Sequence, residues 1–245
     1  MNIMKHANLR VPHGRKIAWR YMGLDKFLDL AVNQRLYFTN ASDLSDQYEI
    51  TLPPYTLKER ENTLRKQGFD GVELAGEMAA FEQAHRPLRN STLVSCWSLG
   101  RHESYALWKI YLDGARTGVA IRTSVTALRD ALENGGDPEP EDVYLAEVEY
   151  GDYLRDENIN PFTLVSRKRN FYAYENELRL FMLRDDSIAG KAPGRFVRVH
   201  LDSLIDRIYL SPFAGPWFRK TFEHTLKRIN PQLIGKLETS LIRDQ

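Results

Sequence analysis

The sequence predicts an α+β fold, because it holds many short strand patterns and few, dispersed helical ones, with no regular alternation between the two. From residue 92 onward β-prone apolar runs dominate, whereas helical spacing is confined to separate stretches. There is no internal repeat and no low-complexity tract. At 245 residues the chain can bury a substantial core, and it is most simply a single domain over 1–245.

The elements follow in order. "KIAWRYM" (16–22) reads as a strand, and "LDKFLDLAVNQ" continues as a helix, with Leu24, Phe27, Leu28 and Ala31 at helical spacing. Leu36–Thr39 forms a second strand that runs into a polar loop. Residues 53–90 change character: after Pro53-Pro54 come charged helical patterns broken at Gly68 and Gly71, the mark of a helical insertion or lid. "TLVSCWSL" and "TGVAIRT" are strands, and the "ESYALWKIYL" between them forms a helical turn or two. "SVTALRDALEN" is an amphipathic helix with Ser124 as its N-cap. "GGDPEPED" is a loop by composition. "VYLAEVEY", "RFVRVHL" and "RIYLSPF" supply further strands. A last helix starts at Pro216, with Phe218, Phe222, Leu226 and Ile229 as one stripe.

Composition narrows the function. Hydrophobic residues make up 42% and charged residues 27%, which is ordinary for a folded domain. A net charge of +1 gives no global field toward nucleic acid or membrane. The single Cys96 excludes an intramolecular disulfide framework and fits a reducing cytoplasm. The polar N-terminus lacks the apolar segment of a signal peptide, and no run reaches bilayer-spanning length, so a cytoplasmic protein without a membrane partner is expected. The chain has no GxGxxG, no P-loop, no HExxH and no GxSxG. One cysteine cannot build a thiolate zinc site, and the six histidines show no ligand spacing.

The pattern that stands out is "YAYENELRLF" (172–181). As a strand over 175–183 it would put Glu175, Glu177 and Arg179 on one face and the leucines on the other. Two acids on one face need a compensating charge, which Arg179 or a ligand would supply. As a helix, the same segment would make Glu175 and Arg179 an i,i+4 pair above a core stripe.

Several motifs, in this order, resemble the uncharacterised bacterial domain-of-unknown-function family 2971. They are Arg20-Tyr21, "SDQYE" with Asp46 and Glu49, "SCWS", "LWKIY", "GVAI", and Lys168 followed by "YAYENELR". Tyr172 stands where that family has Trp, and the Asn, Pro and Phe of its early acidic loop are replaced. The order also resembles mono-ADP-ribosyltransferases, particularly bacterial toxins that modify nucleic acid. That resemblance implies a split antiparallel or mixed β-sheet core with peripheral helices, which binds NAD as a substrate without a Rossmann motif or a metal. It implies Glu177 as the catalytic carboxylate and Glu175 as an acceptor-side helper. Arg20 would hold the pyrophosphate, and Ser95 the carboxamide. Tyr21, Trp97, Trp108 and Tyr111 would stack on the rings, and Arg179 would offset the acids. The acceptor would be a macromolecule, RNA, DNA or protein. A toxin or phage-defence effector of this kind would have an antitoxin protein as partner.

Bland readings stand beside these roles. The aromatics serve equally as core, Ser95 as a lone serine, Cys96 as a small core residue, Arg20 as a strand-end arginine and "SRKRN" (166–170) as a solvated loop or a phosphate grip. Asp46 and Glu49 either cap the following helix or close the site. Two other functions remain open. One is a non-catalytic binding module on the same scaffold. The other is a metal-dependent phosphodiester-acting enzyme in which Asp46, Glu49 and Glu177 converge.

Overall fold

The computed structural model describes residues 1–85, 87–151, 159–184 and 193–242. Their order is β1 (Asn2–Met4), β2 (Ile17–Gly23), α1 (Leu24–Asn33), β3 (Arg35–Asn40), α2 (Pro54–Lys66), α3 (Gly71–His85), α4 (Pro87–Ser91) and β4 (Thr92–Leu99). Next come α5 (Tyr105–Leu112), β5 (Gly118–Ser124), α6 (Val125–Glu133), β6 (Asp142–Glu147), β7 (Glu149–Gly151), α7 (Pro161–Val165), β8 (Arg167–Arg169) and β9 (Glu177–Leu183). The chain ends with β10 (Arg195–Arg198), α8 (Leu201–Leu204), β11 (Arg207–Leu210), α9 (Pro216–Ile229) and β12 (Leu237–Glu238).

The main sheet runs β1-β6-β9-β4-β2-β5-β11-β12 and is antiparallel except at its two edges, β1–β6 and β11–β12. The fold is therefore mixed α+β on a mostly antiparallel sheet. Strand β4 forks this sheet. Its C-terminal end pairs with β2 at Ala18↔Leu99 and Trp19↔Ser98, while its N-terminal end pairs with β3 at Thr39↔Val94 and Asn40↔Leu93. Between these two pairings Ser95, Cys96 and Trp97 form the crotch of the fork. Strand β3 then leads away into a two-stranded ribbon with β10.

One face of the sheet carries the large core. Helices α1, α6 and α9 press Phe27, Leu128, Phe218 and Phe222 onto Leu178, Leu180 and Met182 of β9. Each helix has an apolar stripe that only this face can bury. Ser124 caps α6 by accepting the Ala127 N–H, and Pro216 occupies the first turn of α9. The opposite face carries two smaller clusters, one around Val94, Ala146, Val165 and Phe181, the other around Trp19, Tyr21, Leu107 and Trp108.

Residues 53–90 do contain three helices, α2 to α4, but none of the described ones lines the cleft discussed below. Arg89 links them to the site: its guanidinium donates to the carbonyls of Ala41, Leu44, Asp46 and Gln47. That grip pins the loop that carries Asp46 and Glu49.

The expected strand over 175–183 begins two residues late. Asn170–Glu175 is a 3₁₀ segment that ends at Asn176, which is left-handed at φ 43°. Asn tolerates this conformation, and its side chain secures it by donating to the Leu99 carbonyl at 2.6 Å. Glu175 therefore leaves the strand alternation, and only Glu177 and Arg179 share a strand face. The helical alternative for the segment does not occur.

Candidate functional site

Register places the site. Glu177, Arg179 and Phe181 of β9 face the same way as Ser98, Cys96 and Val94, their cross-strand partners on β4. This is the face opposite the large core, and here polar groups replace apolar ones. Arg179 is fully buried and donates through Nε and Nη2 to both oxygens of Glu177, at 2.8 and 2.9 Å. The same Nη2 reaches Glu49 at 2.6 Å, and Nη1 donates to the Val165 carbonyl at 2.9 Å. Such a bidentate fork is the strong form of an ion pair.

Lys168 completes the cluster. Its ammonium lies 2.7 Å from Glu175, 3.3 Å from Glu49 and 3.5 Å from Glu177. Three carboxylates thus meet two cations, a formal charge of −1 in a buried place. Of the β8 residues only Lys168 is buried, because the strand turns its middle side chain inward and its neighbours outward. "SRKRN" is accordingly not a solvated loop.

The two carboxylates have different acid strengths. Burial alone would raise the Glu177 carboxyl, but Arg179, aided by Lys168, outweighs it and holds the group down at about 2. Burial raises Glu175, and Lys168 offsets this only in part. Glu177 is therefore a fixed negative charge, and Glu175 is the better proton acceptor. Burial, then the Glu177 charge, pushes the Cys96 thiol well up, which favours the protonated form.

Arg20 reaches the site from the other face. It alternates with Trp19 and Tyr21 on β2, so its stem points toward the large core, and its guanidinium fills the crotch of the fork. It donates to Ser95 Oγ at 2.6 Å and to the Tyr37 carbonyl at 3.4 Å, and it sits 5.5 Å from the Trp97 ring centre. Burial lowers its pKa, and no carboxylate forms an ion pair with it among the described residues. A half-buried cation with only neutral acceptors, opening on a cleft, is a place for an anion.

One cleft of about 770 Å³ joins these groups. Arg20, Tyr21, Trp97, Tyr111, Glu175, Glu177 and Arg179 all line it. Tyr111 is half exposed and stacks near Tyr21, with ring centres 6.3 Å apart. Two of the expected cofactor residues do not line it. Trp108 lies fully buried behind Tyr21, edge-on at 5.1 Å, with its indole N–H donated to Glu103 at 3.1 Å. Ser95 faces the large core and acts through Arg20. Trp97 lines the cleft but is 2% exposed, so it contributes an edge rather than a stacking face.

Asp46 and Glu49 part ways. Glu49 turns into the cluster, while Asp46 takes Arg169 at 2.8 Å and the Tyr48 N–H at 3.0 Å. Asp46, Glu49 and Glu177 therefore do not converge. No group of three or more His, Cys, Asp or Glu side chains among the described residues is arranged to hold a metal ion. No helix among them is long and apolar enough to cross a membrane. Comparison of the chain with protein-family models and with curated proteins finds no match.

Proposed function

We propose that the chain is an NAD-dependent ADP-ribosyltransferase on an ADP-ribosyltransferase-like split sheet. It would transfer ADP-ribose to a macromolecular acceptor, nucleic acid or protein, as a toxin or phage-defence effector does. The observation that carries this reading is a cleft lined by an ionised carboxylate, an exposed tyrosine, and a half-buried arginine without an ion pair among the described residues.

Each group has a part in that chemistry. When the bond between ribose C1′ and the nicotinamide nitrogen breaks, its electron pair leaves with nicotinamide and the ribose gains positive charge, as in glycoside cleavage. Glu177, already ionised and held rigid by Arg179, stabilises that charge without having to reorganise. Its oxygens keep acceptor capacity beyond the bonds to Arg179, enough for a ribose hydroxyl. Glu175 receives the proton from the acceptor as the new bond to C1′ forms. Arg20 binds the pyrophosphate through its fork, and Tyr111 covers the nicotinamide ring.

The contacts of both Glu177 oxygens with Arg179, and of one with Lys168, favour a second reading, in which the cluster is structural and the cleft only binds. Calorimetric titration with NAD, with and without chelator, tests the first step. NAD binding that persists in chelator supports the proposal. Binding that requires a divalent ion would instead favour phosphodiester chemistry, and absence of binding removes the NAD reading.

A further inference from the structure

The cleft has a second aromatic end, remote in sequence from the carboxylates. Strands β3 and β10 pair Tyr37 with Phe196 in register, so both rings stand on one face of the ribbon. Thr39 of β3 is paired with Val94, which puts Tyr37 and Phe196 on the same side of the sheet as Glu177. Both rings line the cleft, their centres lie 4.8 Å apart, and they are 42% and 45% exposed. Large aromatics normally bury such area, and here the apolar surface faces a cavity.

This end is also braced by a side-chain stack. Arg35 lies over Phe196, 3.7 Å from its ring centre, and is itself held by a bidentate pair to Asp29 at 2.7 and 3.1 Å. The stack closes one face of Phe196. Arg20 joins the two ends, since the carbonyl it touches belongs to Tyr37. The order along the cleft is therefore carboxylates, arginine, aromatic pair. A ligand matching it carries a sugar at one end, an anionic centre and a planar ring at the other. At about 770 Å³ the space lies within the usual range for a bound small molecule.

We propose that Tyr37 and Phe196 form the adenosine subsite of this cleft, so that the site selects a dinucleotide over a mononucleotide. The inference rests on the NAD reading above and adds the residues that hold the half of the ligand where no bond breaks. The two rings are tilted 50° to each other, and adenine packs into the angle between them, while the pyrophosphate reaches back to Arg20. Binding energy from this end holds the nicotinamide ribose against Glu177.

The test is calorimetry with three probes, NAD, ADP-ribose and nicotinamide mononucleotide, on wild type, Phe196→Ala and Phe196→Tyr. Phe196→Ala should weaken NAD and ADP-ribose about tenfold, the scale of one lost base–aromatic stack, and leave nicotinamide mononucleotide unchanged. Phe196→Tyr should restore wild-type affinity. An unchanged melting temperature without ligand shows that the variants are folded, as half-exposed positions allow. If Phe196→Ala binds NAD as wild type does, or weakens all three probes alike, the subsite is wrong and the transfer reading stands. If wild type binds ADP-ribose with this selectivity but never consumes NAD, the subsite stands and the transfer reading fails. If wild type binds none of the probes, the subsite is overturned with the NAD reading.

Discussion

Arg179 and Glu177 stand two residues apart on one strand and meet in a bidentate pair at 2.8 and 2.9 Å, both buried beneath the cleft. Removing the arginine leaves Glu177 and Glu49, each only 3% exposed, without their main cation. Arg179→Ala should therefore lower stability by about 3–5 kcal/mol, the usual cost of stranding a buried charge. Denaturant unfolding measures it. A loss under about 1 kcal/mol, the scale of an exposed pair, would mean that the cluster takes up water more freely than its burial indicates.

Acid should act through Glu177. Its folded pKa is depressed to about 2, so its stabilising contribution is present above the ordinary carboxylate range and is lost as pH falls from about 5 toward 2. The size is about 3 kcal/mol on the same linkage. Glu175, raised by burial, works in the opposite sense, because the folded state gains it a proton earlier than the unfolded chain does. Unfolding free energy followed from about pH 6 to about pH 3 should fall more steeply in wild type than in Glu177→Gln. Equal slopes would refute the depressed value.

Lys168 is the second cation of the cluster, and Lys168→Met should raise the Glu175 pKa further and destabilise the protein at neutral pH. The deficit should shrink as pH approaches about 4, where protonating Glu175 removes part of the repulsion. Comparing Tm at neutral pH and at that acidic pH checks this. A deficit independent of pH would make the loss one of packing alone.

Arg20 separates binding from folding. It makes hydrogen bonds but no ion pair among the described residues, so Arg20→Ala should change Tm little and weaken NAD about tenfold or more. Arg20→Lys should not rescue, because an ammonium lacks the fork. NAD affinity measured on both variants decides it, and full rescue by lysine would argue against a bidentate pyrophosphate contact.

Local patterns carry the fold well. The strand at residues 16–22, the helix from Leu24 and the cap at Ser124 rest on neighbours in sequence, and each has its counterpart in the structure. The α+β character follows from the same patterns. The fork at β4 is not legible from periodicity, because β2 and β3 share one edge of β4 through long-range contacts that no local spacing records. Glu175 falls outside its expected strand because one left-handed Asn176 breaks an alternation that looks continuous in sequence. The part of Lys168 in the cluster is hidden in sequence because it sits between two arginines. A three-residue strand turns its middle residue inward, and that is the available signal. Trp108 departs from its expected place in the cleft because an aromatic in sequence does not reveal which side of a helix is covered.

NAD consumption by wild type and by Glu177→Gln, measured as released nicotinamide with acceptor RNA, DNA or cell extract present, tests the catalytic role of Glu177 most directly. The substituted amide is neutral but keeps an acceptor oxygen for Arg179, which also retains Glu49 at 2.6 Å, so the variant should stay folded. Wild type should release nicotinamide, and Glu177→Gln should do so about 100-fold more slowly while still binding NAD, the scale of losing one transition-state electrostatic partner. Equal rates in the two proteins, or no release by a wild type that binds NAD, would contradict the claim that Glu177 is a catalytic carboxylate.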